Sequence, residues 1–121
     1  LGGLTEYRVS KLANALFSAE LARRLAGSGV TTYAVHPGIV ATDIWRTLPR
    51  WLQPLLRRLL GMITPEEGAQ TTLYCATSAQ AGAETGLYYE RSQPRAASAL
   101  ARDEALARAL WVRSEAWVAP R

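Results

Sequence analysis

Tyr7 and Lys11 are the two residues of this chain whose types and spacing could carry chemistry together. Four residues apart on a helix, they lie on one face a turn apart, so a phenol and an ammonium can reach the same bound molecule. A free tyrosine titrates at about pH 10 and holds its proton at neutral pH. A neighbouring ammonium lowers that value by favouring the phenolate, and a phenol tuned toward the working pH can exchange a proton with a substrate oxygen. Lys11 stands out for a second reason: of the chain's 14 basic residues it is the one lysine, the rest being arginine. A compact ammonium on a flexible stem suits a task that a planar guanidinium does badly. Taken alone, Tyr-x-x-x-Lys also fits a solvated helical pair, so the surrounding elements have to decide.

Those elements are a helix, a breaker and a strand. A helix from about Tyr7 to Ala26 has a broad apolar surface that includes Val9, Ala13, Phe17, Leu21 and Leu25, with Leu12 and Leu16 beside them. Gly27-Ser28-Gly29 breaks it. Val30 to His36, rich in β-branched residues, then reads as a β-strand. It runs into Pro37-Gly38-Ile39-Val40-Ala41-Thr42-Asp43. In an open α/β sheet, ligands bind outside the carboxyl ends of the strands. A Pro-Gly turn there lets backbone pass close to a ligand, Thr42 can offer a hydroxyl to it, and Asp43 reads as the cap of a following helix.

The joint pattern Tyr7-x-x-Ser10-Lys11, helix, strand, then His36-Pro37-Gly38-Ile39-Val40-x-Thr42 resembles the short-chain dehydrogenase/reductase family. The resemblance covers nearly the whole chain. Ser10-Lys11-Leu12-Ala13-Asn14 with Leu16-Phe17, Gly86-Leu87-Tyr88-Tyr89 and Leu110-Trp111 look most like its retinol-dehydrogenase-like group. It implies an α/β fold, the C-terminal part of a Rossmann-type doubly wound parallel sheet, and a nicotinamide-dependent oxidoreductase acting on an alcohol or carbonyl. Tyr7 would be the general acid or base. Lys11 would hold the nicotinamide ribose and depress the tyrosine pKa. Pro37, Gly38, Val40 and Thr42 match the positions that line the nicotinamide and bond its carboxamide. NADP is favoured over NAD by resemblance only, and a lipophilic, retinoid-like or lipid aldehyde substrate is expected. The family's pairing of this helix across a dimer makes a homodimer through the Tyr7 to Ala26 helix a further expectation.

The cofactor fingerprint of that family, a Gly-rich turn opening the first helix, has no counterpart here, because Gly2-Gly3 lacks the spacing of a pyrophosphate cradle. The catalytic serine would fall upstream of Leu1. The family's helical asparagine would be upstream too, and Asn14 lies on the wrong helix to replace it. Residues 1–121 are therefore expected to be the C-terminal catalytic half of one domain, lacking the N-terminal βαβ half and inactive alone. A start at Leu1 rather than Met agrees.

The rest of the chain narrows the function. A lone cysteine, Cys75, excludes an internal disulfide framework and fits a reducing compartment, the cytoplasm or the cytoplasmic face of a membrane. The net charge of +4 is modest and spread out, with no basic block interleaved with aromatics, which argues against nucleic acid. One histidine far from the one cysteine makes a metal site improbable. Ser10 has no histidine nearby in sequence to activate it, against a serine hydrolase. No apolar run approaches the ~20 residues of a membrane span.

Three more helices are expected. Leu48, Trp51, Leu52, Leu55, Leu56, Leu59, Leu60 and Ile63 form an apolar stripe, interrupted by Pro54, with Arg50, Arg57 and Arg58 off it. It fits a lid over a greasy pocket, and it fits an interfacial helix making peripheral membrane contact. Thr64-Pro65-Glu66-Glu67 is a helix start with a capping box, running to about Ser78 and burying Ala69, Leu73 and Ala76. Gly86 to Tyr89 reads as the last short strand. A final helix from about Ala96 to Val118 would dock Ala107, Leu110, Trp111, Ser114, Trp117 and Val118 on the body.

Overall fold

The computed structural model describes residues 2–40, 54 and 58–120. A proline-free, alanine- and leucine-rich stretch forms α1 from Gly2 to Arg24, so Tyr7 sits in its second turn rather than at its start. The helix gives way where Gly27 takes a left-handed φ of 81°, open to glycine at no steric cost. Ser28 closes this turn by donating its hydroxyl to the Leu25 carbonyl at 2.7 Å.

The strand that follows, β1, is Tyr33–His36, shorter than the Val30 to His36 expected. Thr32 instead donates its N–H to Thr85 Oγ1 at 3.0 Å and its hydroxyl to the Ser18 carbonyl at 2.8 Å, tying the strand's entry to α1. β1 pairs in parallel with β2, Leu87–Glu90, with Tyr33 opposite Leu87 and His36 opposite Glu90. β2 then turns back into an antiparallel β3, Gln93–Arg95. This third strand corrects two expectations: Gly86 to Tyr89 is not the last strand, and the sheet is mixed rather than wholly parallel. The turn is made by Arg91 and Ser92 at φ of 51° and 57°, the left-handed pair of a type I′ hairpin. Thr71 Oγ1 secures it by accepting from the Ser92 N–H at 3.1 Å.

Between the parallel strands lie α2, Pro65–Thr77, and the short α3, Ala79–Gly82. The capping box forms as read: Glu67 N–H donates to Thr64 Oγ1 at 3.2 Å, and Thr64 N–H donates to Glu67 Oε2 at 2.8 Å. The buried face differs from expectation. Gly68, Thr71 and Cys75 face inward, whereas Ala69 and Ala76 are exposed and Leu73 is 53 % exposed. The cause is local: α2 approaches Val40 so closely that only a glycine fits at 68, and Thr71 must face the hairpin it holds.

α2 and α3 cover one sheet face, where Cys75, Ala81 and Tyr89 form a core with Tyr33, Val35 and Tyr74 packed against it. Tyr33 donates its hydroxyl to the Ala81 carbonyl at 2.7 Å, and its ring meets Tyr89 edge-on at 5.6 Å. Tyr89, almost fully buried, donates to the Glu84 carboxylate. That bond, with burial second, raises its phenol well above the ordinary tyrosine range.

α1 covers the opposite face, and α4, Glu104–Val118, packs beside it after a 3₁₀ turn at Leu100–Arg102. The expected continuous helix from Ala96 does not form, because Asp103 Oδ1 caps a new start by accepting from Leu106 N–H at 2.9 Å. Ala107 is buried, and Leu110, Trp111 and Ser114 are partly buried, as expected of the docked face. Trp117 and Val118 are 71 % and 81 % exposed. The two helices run in step: Phe17 stacks on Trp111 at 5.2 Å, and Arg24, the last helical residue of α1, reaches Glu115. Residues 117 and 118 come after Glu115, the α4 residue that Arg24 reaches, at the C-terminal end of α4. At the same junction the Arg24 guanidinium lies over the Trp111 ring at 4.5 Å, and Glu20 binds Arg23 at 2.9 Å and Arg24 at 2.8 Å.

The stripe from Leu48, with its lid and interfacial readings, lies mostly outside the described residues. At its end, Leu59 and Leu60 are exposed, and Ile63 forms an isolated parallel bridge with Val40.

Candidate active site

Helical spacing puts Tyr7 and Lys11 on one face of α1, and the packing of α1 on the sheet turns that face toward the end of β1. The Lys11 ammonium lies 5.4 Å from the centre of the Tyr7 ring. Together with Pro37 and Gly38 the pair lines a single cleft of about 440 Å³, floored by Val35, His36 and Tyr88. Four of the six residues expected at the site are thus brought together. Val40 is not among the residues lining that cleft. Its side chain rests on α2, with Cγ2 2.7 Å from where a Cβ on Gly68 would be. Thr42 and Asp43 lie outside the described residues.

Gly38 is a position where glycine is required. Its φ is 91°, and an added Cβ would sit 3.0 Å from Ile63 Cδ1. The absent side chain lets Ile63 pack directly against the turn. On its far side is a second cavity of about 590 Å³, reached by Ile63, Thr71, Arg91 and Ser92, so Pro37 and Gly38 form a ridge between two openings.

Tyr7 is 59 % exposed, and its carbonyl accepts the Ser10 hydroxyl at 2.7 Å, a helix back-bond that occupies Ser10. Among the described residues Lys11 makes no ion pair. Its ammonium is therefore free to meet a ligand's hydroxyls. At Tyr88, burial, then the charge of Glu90, raises the phenol above the usual tyrosine value. It stays neutral across the working range and is not a rival base.

Arg8, Asn14, Val35, His36 and Tyr88 also line the cleft and were not read as part of the site. Asn14 stands three residues beyond Lys11 and seven beyond Tyr7, the same helical face, and it lines the cleft although it is not the family's upstream asparagine. Tyr88 alternates with the core residue Tyr89, so it must face α1, and its register opposite Ala34 puts it under the cleft. Among the described residues no group of three potential metal ligands occurs, and no helix is long and apolar enough to cross a membrane.

No family model matches the chain. Curated relatives match it along most of its length. Retinol dehydrogenase 11 of Mus musculus is 47% identical over 87% of the chain and 33% of its own length. Dehydrogenase/reductase SDR family member 13 of Bos taurus is 44% identical over 89% and 29%, respectively. Retinol dehydrogenase 14 of Homo sapiens is 42% identical over 93% and 34%. The chain spans about a third of the length of these relatives. With this likeness, and with its helix, its strand and the turn that follows arranged around one cleft, the chain belongs to the short-chain dehydrogenase/reductase family, in its retinol-dehydrogenase-like group.

Proposed function

We propose that residues 1–121 are the C-terminal catalytic part of one Rossmann-type domain, in an NAD(P)-dependent oxidoreductase that interconverts an alcohol and a carbonyl. The observation that carries this reading is the convergence of Tyr7, Lys11, Pro37 and Gly38 on one cleft. The Gly-rich turn and the catalytic serine belong, in this reading, to an upstream part such as the relatives' greater length provides, and these residues alone do not turn over.

The donor set fits a nicotinamide nucleoside. Lys11 offers an ammonium without an ion-pair partner among the described residues, Tyr7 a hydroxyl and Asn14 an amide, all suited to sugar hydroxyls. Pro37 and Gly38 line the same cleft and bring the strand-end turn to it. Bound there, the nicotinamide supplies or accepts the hydride. The chain's own residues do the rest. Tyr7 gives a proton to the oxygen of a carbonyl being reduced, and takes one from an alcohol being oxidised. Lys11 places positive charge where negative charge develops on the Tyr7 oxygen. Pro37 and Gly38 would fix how near the ring can come, and Val40 and Thr42 are the residues that, by the family resemblance, would meet the carboxamide.

The names of the relatives support a retinoid-like alcohol and its aldehyde as substrate, and NADP is preferred over NAD by the family resemblance only. Pairing of two copies along α1, where Leu4 and Val9 are exposed, and peripheral contact of the Leu48 to Ile63 stretch with a membrane complete the reading. The test is a reductase assay of a protein carrying this chain with an upstream half of the relatives' kind. NADPH oxidation with retinal or a medium-chain aldehyde is expected, and Tyr7→Phe abolishes it. Turnover that survives the substitution would show that Tyr7 is not the proton donor.

A further inference from the structure

Lys11 has to present its ammonium beside Tyr7, yet α1 fixes only its backbone. The four-carbon stem is rich in rotamers, and among the described residues no ion pair holds its end. Tyr7 lies on one side, at 5.4 Å. The other side opens onto a separate slot of about 360 Å³, walled by Leu12, Ala15, Ala97 and Ala101. Lys11 and Tyr88 both line this slot, and both line the cleft that holds Tyr7, Pro37 and Gly38. These two side chains are the partition between the spaces.

Tyr88 is itself fixed from elsewhere. Its backbone is paired with Ala34 on one side and Arg95 on the other. Its ring stacks on His36, the residue before the Pro37-Gly38 turn, with centres 6.4 Å apart and planes within 16°. We propose that Tyr88 is a positioning residue for Lys11, its ring being the wall that keeps the lysine stem aimed at Tyr7 and the turn instead of falling back into the alanine-lined slot. The flat ring does this and the hydroxyl does not, since a phenol that stays neutral offers Lys11 no charge to pair with.

The inference rests on the function proposed above, so both are tested in one series on the active, full-length enzyme. Tyr88→Phe keeps the wall, and the cofactor KM should stay within about twofold of the parent. Tyr88→Leu removes the ring, and the cofactor KM should rise about tenfold while the substrate KM stays within about twofold, the mark of a misplaced cofactor-holding group. A purely structural role would lower kcat through loss of folded enzyme and leave the cofactor KM in place. This outcome overturns the proposal, as does an equal loss in Tyr88→Phe. Should Tyr88→Leu fail to fold, Tyr88→Met fills similar volume without a flat ring and is read by the same criteria. A parent enzyme without nicotinamide-dependent turnover, or full activity in Tyr7→Phe, brings down both readings. An inactive Tyr7→Phe beside an unaltered Tyr88→Leu brings down this one alone.

Discussion

Gly68→Ala sets two ordinary effects against each other at the place where α2 meets the end of the site. In an open helix interior the added methyl stabilises by about 1 kcal/mol through helix propensity. At Gly68 that methyl would lie 2.7 Å from Val40 Cγ2 and 3.4 Å from its Cγ1. Val40 cannot easily step aside, because a β-branched side chain is stiff about χ1 and its backbone is bridged to Ile63. Overpacking costs about 1–3 kcal/mol, so the net change is a loss of about 0–2 kcal/mol once the propensity gain is subtracted. Gly82 supplies the control: it ends α3 with nothing within 4 Å of an added Cβ. Gly82→Ala should be neutral or stabilising by up to about 1 kcal/mol. Urea denaturation of both variants beside the parent protein measures the gap through the transition midpoints at constant slope. Gly68→Ala as stable as Gly82→Ala would refute the claim that Val40's contact dictates the residue at 68. Val40 is two residues from Gly38, so a shift there should also weaken cofactor binding in an active enzyme.

Two further tests concern pH. Unfolded tyrosine ionises at about pH 10, whereas the Glu84 bond and burial keep the proton on Tyr89 to higher pH, so its contribution is complete below about pH 10 and is lost as pH rises through the folded value. Tyr89→Phe should lower stability at neutral pH by about 1–3 kcal/mol and show a shallower alkaline decline in denaturation midpoints; an unchanged decline contradicts this. Burial alone would raise the Glu20 carboxyl, but the bonds from Arg24 and Arg23 outweigh it and hold the group below its usual range. That contribution is present above about pH 4.3 and lost as pH falls through the folded value. Glu20→Gln should melt lower than the parent at pH 7, with the difference shrinking toward pH 3, and a constant difference would dismiss the Glu20 linkage.

What could be read from the chain was whatever short-range rules determine. Tyr7 and Lys11 share a face because helical spacing demands it, and Pro37-Gly38 lies beside them because it ends a strand. Thr64 to Glu67 announces a helix start in four residues. The inward face of α2 was hidden because Gly68 and Thr71 are not apolar: one is dictated by the close approach of Val40, the other by a hydrogen bond to a turn twenty-one residues on. β3 was missed for a similar reason. Gln93, Pro94 and Arg95 carry no strand preference, and the left-handed turn before them uses neither glycine nor asparagine, so only tertiary contacts reveal it. Asp103 passed unnoticed inside an alanine-rich run that reads as one helix.

With one side-chain amine in the chain, exposed and without an ion-pair partner among the described residues, Lys11 is also singular as a chemical handle. An acylating reagent that ignores guanidinium groups finds a target of this kind only at the rim of the cleft. A fluorophore attached there would report directly on anything that enters, or on any protein surface that closes over it.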